Sequence, residues 1–541
     1  MDQAVTTNVL SPYKAFCQSA AAYPARDFVR VPAAAKAPWA AEGYVISYAA
    51  AAEQVEVLRA AYVAAGYGRG SRVAFMLENR PEFLLHWLAL NAIGASIVPL
   101  NAEMRPEELA HQMQVSGAEL FVSVEEFTGL LSAAIPAQVP VSLLNAALPS
   151  AKQPRAPGEG LPEDEAALLF TSGSTGKPKA CILSNLYFAV IADWYRGLPG
   201  IAGVTGGPVA MTPLPFYHMN ALACTAGGIM AAGGTIVPLD RFHPKSWWRS
   251  VAESGATLVH GLGVIPAILL QLPPRTDDRA HQARAIFSPG VDAAQKTAFE
   301  ARFGLPILEG WAMTETGGAA VTDTSGLTGP LAPRCIGRPR GTVLWRIVDE
   351  AGQDAPLGEL ILKAPGEDPR RGFFSGYLGD DEATEAAWDG GWFHTGDIIR
   401  VDDAGLFYFV DRKKSIVRRS GENISALEVE AALMDDPAVR SAAVTPVPDP
   451  LRGEEVFAFV VPAEPLPGSS FAAELLQRLT QRLSYHKLPG YLALVDELPL
   501  GSTQKVLRGQ VKTDAAAAVL SGQAMDVRVL KGGLRGSKGA V

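Results

Sequence analysis

At 541 residues the chain is longer than one hydrophobic core usually serves, so two or more domains are expected. Apolar residues make up 48% and charged residues 19%, a globular balance that excludes a disordered chain. A net charge of −9 excludes a broad electrostatic footprint for nucleic acid or an anionic membrane, so any nucleotide must be held by a local, built site.

The chain starts Met-Asp-Gln-Ala, without the basic and apolar regions of a signal peptide. Cys17, Cys181, Cys224 and Cys335 lie far apart and show neither disulfide nor zinc spacing, so free thiols in a reducing cytoplasm are expected. RVAFML (72–77) reads as a strand, 81–94 as a helix, SIVPLN (96–101) as a strand, 105–115 as a helix and AELFVSV (118–124) as a strand. That rhythm predicts right-handed βαβ units on a mostly parallel sheet. The apolar stretches 81–101 and 220–239 approach the length that spans a bilayer, roughly 20 residues. His86, Asn91 and Gly94 interrupt the first and paired glycines the second, so each is expected to break into helix, turn and strand, with no membrane span.

Residues 149–165 are rich in Pro, Gly and charge and read as an exposed connection. It leads through the strand AALLF (166–170) into Thr171, Ser172, Gly173, Ser174, Thr175, Gly176, Lys177, Pro178 and Lys179. Glycines let backbone N–H groups turn inward together, hydroxyls add donors, and Lys177 and Lys179 add positive charge, so the loop suits a polyphosphate. It is not a Walker A loop: Gly173 and Gly176 are too close, and Pro178 follows Lys177 where Ser or Thr is required. By composition alone, a solvated Ser/Gly surface loop fits equally well.

Near residue 411 the long apolar runs give way to a smaller, more charged module. Ser425-Ala-Leu-Glu428 forms a capping box opening a helix through about Met434. Phe471, Leu475, Leu476, Leu479 and Leu483 share one helical face, and strands are expected at 439–446, 455–461 and 491–496. The last stretch, AMDVRVLKGGLRGSKGAV, reads as a loose basic tail. The fold class expected is α/β: a large N-terminal domain of mixed, mostly parallel sheets with flanking helices (1–411), a small α+β C-terminal domain (412–515) and a tail (516–541).

The string 171–179 resembles the signature loop of the adenylate-forming superfamily, which includes acyl-CoA synthetases, nonribosomal adenylation domains and beetle luciferases. PLPFYHMNA (213–221), EGWAMTE (309–315), GWFHTGD (391–397), DRKKSIVRRSGENIS (411–425) and LPLGSTQKVLR (498–508) match further family blocks in the family's order, so the resemblance runs from about residue 10 to 512. SGENISALEVEAAL (420–433) and YHKLPGYLALVDELP (485–499) are most similar to the crotonobetaine/carnitine–CoA ligase-like group.

The resemblance implies an ATP-dependent carboxylate–CoA ligase. Such an enzyme forms an acyl-AMP and pyrophosphate, then an acyl-CoA thioester, using ATP, Mg2+, coenzyme A and a small carboxylic acid. It implies no nucleic-acid partner and leaves a homodimer open. The 171–179 loop would grip the β- and γ-phosphates, Thr314 the α-phosphate, and Glu315 would ligate Mg2+. Glu309, Gly310, Trp311, Ala312 and Met313 would line the nucleotide, with Trp311 at the adenine-stacking position; a buried core Trp is the plain alternative. Asp397 would accept from the ribose hydroxyls, although an Asp in such a turn can be only a turn former. Arg412 would reinforce the nucleotide. Lys505 would bridge the attacking carboxylate and the α-phosphate.

By the same resemblance the C-terminal domain is mobile. Lys414 falls at its hinge and Gly421 in the loop lining the pantetheine tunnel; read alone, Lys414 is one member of a basic strand. His218 and the segments 260–266 and 288–290, the latter with Ser288 and Gly290, match acyl-pocket or gate positions, while an ordinary packed histidine remains the alternative for His218. The chain departs from the pattern at Trp311 (usually Tyr), Ala312 and Gln504 (usually Gly), and Pro289, in a segment usually richer in glycine. Ala312 and Pro289 narrow the space at the reacting carboxylate and point to a short or compact acid.

Two other readings stand beside this one. An adenylating enzyme loading a carrier-protein thiol is disfavoured because the sequence continues only briefly past the Lys505 motif. A nucleotide-binding pseudoenzyme acting as a regulator is disfavoured by the intact set Thr314, Glu315, Asp397, Arg412 and Lys505.

Overall fold

A computed structural model describes residues 11–104, 106–171, 178–291, 293–320, 332–339, 341–419, 422–449, 452–464, 470–483, 485–501 and 505–534. The first expected rhythm is present: strands Arg72–Met76, Ser96–Pro99 and Leu120–Ser123 pair in parallel, joined by helices Pro81–Asn91 and Pro106–Ser116. Their sheet runs, in spatial order, Gly376–Tyr377, Lys179–Ser184, Glu165–Thr171, Ser96–Pro99, Arg72–Met76, Leu120–Ser123, Val141–Leu143. It turns antiparallel at the hairpin Glu165–Thr171/Lys179–Ser184. Both faces are buried, as the strand alternation requires: Val73 and Phe75 enter one core, Ala74 and Met76 another.

The second large sheet is ordered Ile307–Leu308, Ala285–Phe287, Leu258–His260, Val209–Thr212, Thr235–Pro238, Asp27–Val31, Tyr44–Ser47, parallel except for its last pair. Helix Pro81–Asn91 is apolar almost all round and buries every residue but Glu82 within the core common to the two sheets. The run 220–239 forms a π-type helix, Asn220–Gly227, a short helix, Gly228–Ala231, and the strand Thr235–Pro238. Among the described residues no helix is long and apolar enough to cross a membrane. A third, antiparallel sheet (Cys335–Gly337, Phe407–Arg412, Trp392–Val401, Leu357–Lys363, Leu344–Val348) carries the chain toward the small domain.

The C-terminal domain is α+β, and among the described residues its cores begin at Val417. In its long strand Gly453–Pro462, Val456, Ala458 and Val460 face one core while Phe457, Phe459 and Val461 face the other. Ser425 caps Ala426–Met434, accepting from Glu428 N at 3.2 Å, while the Glu428 carboxylate turns to Lys487 Nζ (2.5 Å). Leu475, Leu476 and Leu479 of Phe471–Leu479, and Leu483 beyond it, are buried together.

The expectation of a loose tail is corrected. Helix Arg508–Ser521 runs straight through residue 515, and Met525–Asp526 adds an antiparallel strand to Tyr491–Leu494. Val527 joins the core, and helix Arg528–Leu534 seats Lys531 at 0% exposure. A cation is buried only with partners. Lys531 Nζ donates to Glu455 Oε1 (2.9 Å) and Leu488 O (2.6 Å), and Glu455 also receives Arg419 Nε (2.6 Å). Read locally, the basic run looks solvated, because its acidic partner lies far away in sequence. A chain ending at Ala524 should lose on the order of 3–5 kcal/mol of stability, since it removes Val527 from the core and one of the cations bonded to buried Glu455; urea denaturation measures this.

Candidate active site

Thr171 and Lys179 stand opposite each other at the mouth of the hairpin whose connecting loop carries Ser172, Gly173, Ser174, Thr175, Gly176 and Lys177, which lie outside the described residues. Lys179 Nζ lies 3.2 Å from Asp380 Oδ2 and 4.7 Å from the centre of the Tyr377 ring. Tyr377 sits on the edge strand paired with Lys179–Ser184 and donates its hydroxyl to Glu315 Oε1 (2.9 Å). Tyr377 therefore joins the glycine-rich hairpin to the Thr314-Glu315 turn. Burial, then the Glu315 charge, raises its pKa. The sequence reading missed Tyr377, whose only signal was a Gly-Tyr pair on a short strand.

The turn itself is tight. Trp311–Met313 pairs with Gly317–Ala320, and Thr316 Oγ1 accepts from Met313 N (3.2 Å), leaving Ala312 exposed and Thr314 half-buried. Ahead of Gly310, Glu309 is buried, accepting Gly290 N (3.1 Å) on one oxygen and Arg334 N (2.9 Å) on the other. Burial raises its pKa, only partly offset by those bonds. Glu309 thus pins the 288–290 loop to the turn. Ser288 is fully buried, and its Oγ has no hydrogen-bond partner among the described residues. Gly290 has φ +79, and its carbonyl approaches Gly263 so closely that a Cβ at 263 would sit 2.3 Å away.

Asp397 is the most deeply buried carboxylate of the expected set, at 2% exposure. Trp311 Nε1 donates to its Oδ2 at 2.7 Å. Its Oδ1 faces Arg412 Nε at 3.3 Å but accepts no hydrogen bond among the described residues. Asp397 and Arg412 are direct partners in strand register. Burial raises the Asp397 pKa, with Arg412 and the Trp311 bond opposing. Arg412 and Lys505 interact in turn: the Lys505 pKa is lowered first by desolvation and then by the guanidinium.

His218 closes the constellation. Its pKa falls to about 4, first by burial and then by the nearby Lys505 ammonium, so it is neutral near pH 7. The segment leading to it is held by Asn79, another residue the sequence reading missed, which donates to Leu214 O (2.7 Å) and accepts from Phe216 N (2.9 Å). Lys414 falls in the turn Lys413–Ser415 between two strands, its side chain outside the described residues, as is Gly421. Just before that turn, buried Asp411 accepts Ser425 Oγ (2.7 Å) and Leu427 N (3.1 Å) from the small domain.

Residues 16–378 match the AMP-binding enzyme family and 428–505 the AMP-binding enzyme C-terminal domain. Over 502 residues the chain is 30% identical to crotonobetaine/carnitine–CoA ligase of Citrobacter koseri, covering 87% of this chain and 94% of that one. ATP-bound MatB from Rhodopseudomonas palustris has the same fold, with a TM-score of 0.77 at 25% identity over 94% of this chain and 99% of that one. So does o-succinylbenzoate CoA synthetase from Bacillus subtilis in complex with its acyl-adenylate, at 0.75 and 23% over 93% and 98%. The chain therefore belongs to the AMP-binding enzyme family and, within it, to the acyl-CoA synthetases.

Proposed function

We propose that the protein activates a short or compact carboxylic acid with ATP and passes the acyl group to the thiol of coenzyme A. The observation that carries this reading is buried Asp397, bonded to Trp311 Nε1 at 2.7 Å and facing Arg412 Nε at 3.3 Å; the mutual electrostatic effects of Lys505 with His218 and Arg412 agree with it. A carboxylate attacking the α-phosphate sets one anion on another, so the protein must supply position and positive charge. Lys505 is the cation placed to do so, with Thr314 at the α-phosphate and the 171–179 loop on the β- and γ-phosphates.

Asp397 fits a nucleoside. It offers a buried oxygen without a hydrogen-bond donor among the described residues, as a ribose hydroxyl would require, beside the Trp311 ring and the Arg412 guanidinium. Glu315, buried with one oxygen on Tyr377, fits a Mg2+ that would offset phosphate charge when bound. Lys414 and Gly421 would serve the domain rotation and the pantetheine path of the second half-reaction. The contact between the 263 and 290 backbones, with Gly263 N donating to Pro289 O (3.0 Å), supports a compact acid because it closes together the loops assigned to the acyl pocket.

The test is ATP–pyrophosphate exchange across a panel of acids, followed by CoA-dependent AMP release. Exchange should require a carboxylate, favour small acids over C12–C16 chains, and yield the thioester only with CoA. ATP binding without exchange, or preference for the long chains, would overturn the reading. Trp311→Phe should weaken ATP binding about tenfold, since it leaves Asp397 Oδ2 buried and unpaired at a cost of about 1–3 kcal/mol; calorimetric titration with ATP checks it.

A further inference from the structure

Glu359, which no motif singled out, stands where two segments of the site meet. It lies on Leu357–Lys363, where the register with Trp392–Val401 shifts between Glu359 and Ile361. Its side chain is 7% exposed. Oε1 accepts the N–H of Gly396, the residue before Asp397 (3.0 Å). Oε2 accepts from Nζ of Lys413, the residue after Arg412 (2.7 Å), and lies 3.3 Å from His394 Nδ1. Burial pushes the Glu359 pKa up, but Lys413, His394 and the Gly396 N–H outweigh it, so the carboxyl stays below its ordinary value and charged.

Asp397 and Arg412 are cross-strand partners, yet each borders a place where the backbone leaves the regular ladder. Gly396 has φ +67, a left-handed conformation that suits glycine. Lys413 opens the half-turn to Ser415. Irregular backbone does not aim its neighbours' side chains unless something outside it does. One carboxylate holds both irregularities at once.

We propose that Glu359 is a positioning residue for the nucleotide: by joining the Gly396 N–H to the Lys413 ammonium it fixes Asp397 and Arg412 relative to each other. The inference rests on the reading that Asp397 and Arg412 hold ATP. It makes Glu359 act on ATP and leave the acid alone.

Glu359→Gln keeps an acceptor for Gly396 but gives up the charge facing Lys413; Lys413→Met removes the other end, and Lys413→Arg restores it. On the full chain, Glu359→Gln and Lys413→Met should each raise the ATP Kd by calorimetry, and the ATP KM of pyrophosphate release, about tenfold. The acid KM should stay within about twofold, and the double variant should be no worse than either single one. Lys413→Arg should recover ATP binding to within about threefold of the parent. A role in packing alone would lower the melting temperature without this ATP-specific split. An unchanged ATP Kd in Glu359→Gln, an equal rise in the acid KM, or single effects that multiply in the double variant would overturn the proposal. Calorimetry separates the two readings: a parent protein that binds ATP tighter than Glu359→Gln but never releases pyrophosphate would overturn the ligase and keep the role of Glu359.

Discussion

Lys505→Ala should lower carboxylate-dependent pyrophosphate exchange by about a hundredfold to a thousandfold while ATP still binds within about threefold of the parent protein. The magnitude is that seen when one preorganised group facing developing charge is removed, about 10²–10³. Binding should survive because Thr171, Lys179, Trp311, Asp397 and Arg412 all belong to segments outside the Lys505 loop. Lys505→Arg should rescue poorly: a planar fork on a bulkier head does not replace a compact, largely desolvated ammonium. Transfer from preformed acyl-AMP to CoA should be far less affected than adenylation. Exchange at the parental rate in Lys505→Ala would remove the residue from the mechanism.

The second large effect is acid sensitivity. His86 and His218 have pKa values lowered to about 4 and His260 to about 3, in each case chiefly by burial. His86 pairs with Tyr62 Oη (2.7 Å); His260 lies between Tyr195 Oη and Thr225 Oγ1 in the core. Unfolded, each would titrate near 6.5. Between pH 6.5 and the folded values the unfolded chain binds more protons, so stability falls as the pH is lowered through that window. Each histidine contributes on the order of 3 kcal/mol by its acid end, so the three together approach a whole domain's stability of about 5–15 kcal/mol.

Two carboxyls oppose the trend. Burial raises the pKa of Glu309 and Asp397, so these two take up protons in the folded state first. Net loss should nonetheless begin near pH 6.5 in urea denaturation followed against pH. His86→Gln, whose amide can still hydrogen-bond Tyr62 and never charges, should show a shallower slope. A parent protein equally stable at pH 7 and pH 5 would contradict this account.

Much of this molecule could be read from the chain because its signals are local. The alternation of Val73 and Phe75 with Ala74 and Met76 announces a strand buried on both faces, and Ser425 three residues before Glu428 announces a helix start. What could not be read is pairing at long range. Trp311 reaches Asp397 across 86 residues, and Glu455 neutralises Lys531 across 76. Neither side chain carries a mark of its partner, so Trp311 read as a stacking ring or a core Trp, and the last helix as a loose basic tail. Tyr377 and Glu359 escaped for the same reason: each is ordinary in its own strand and acquires meaning only from what the sheets bring beside it.

The single hydroxyl of Ser425 both seats the first turn of Ala426–Met434 and reaches back to Asp411. Helix start and part of the domain clasp, which Leu427 N also serves, therefore share one atom. If the small domain pivots about Lys413–Ser415 as proposed, the bonds to Asp411 would pass to water while the bond from Glu428 N to Ser425 could stay, leaving the helix start capped. Threonine would preserve both duties; alanine would loosen the clasp and the helix together.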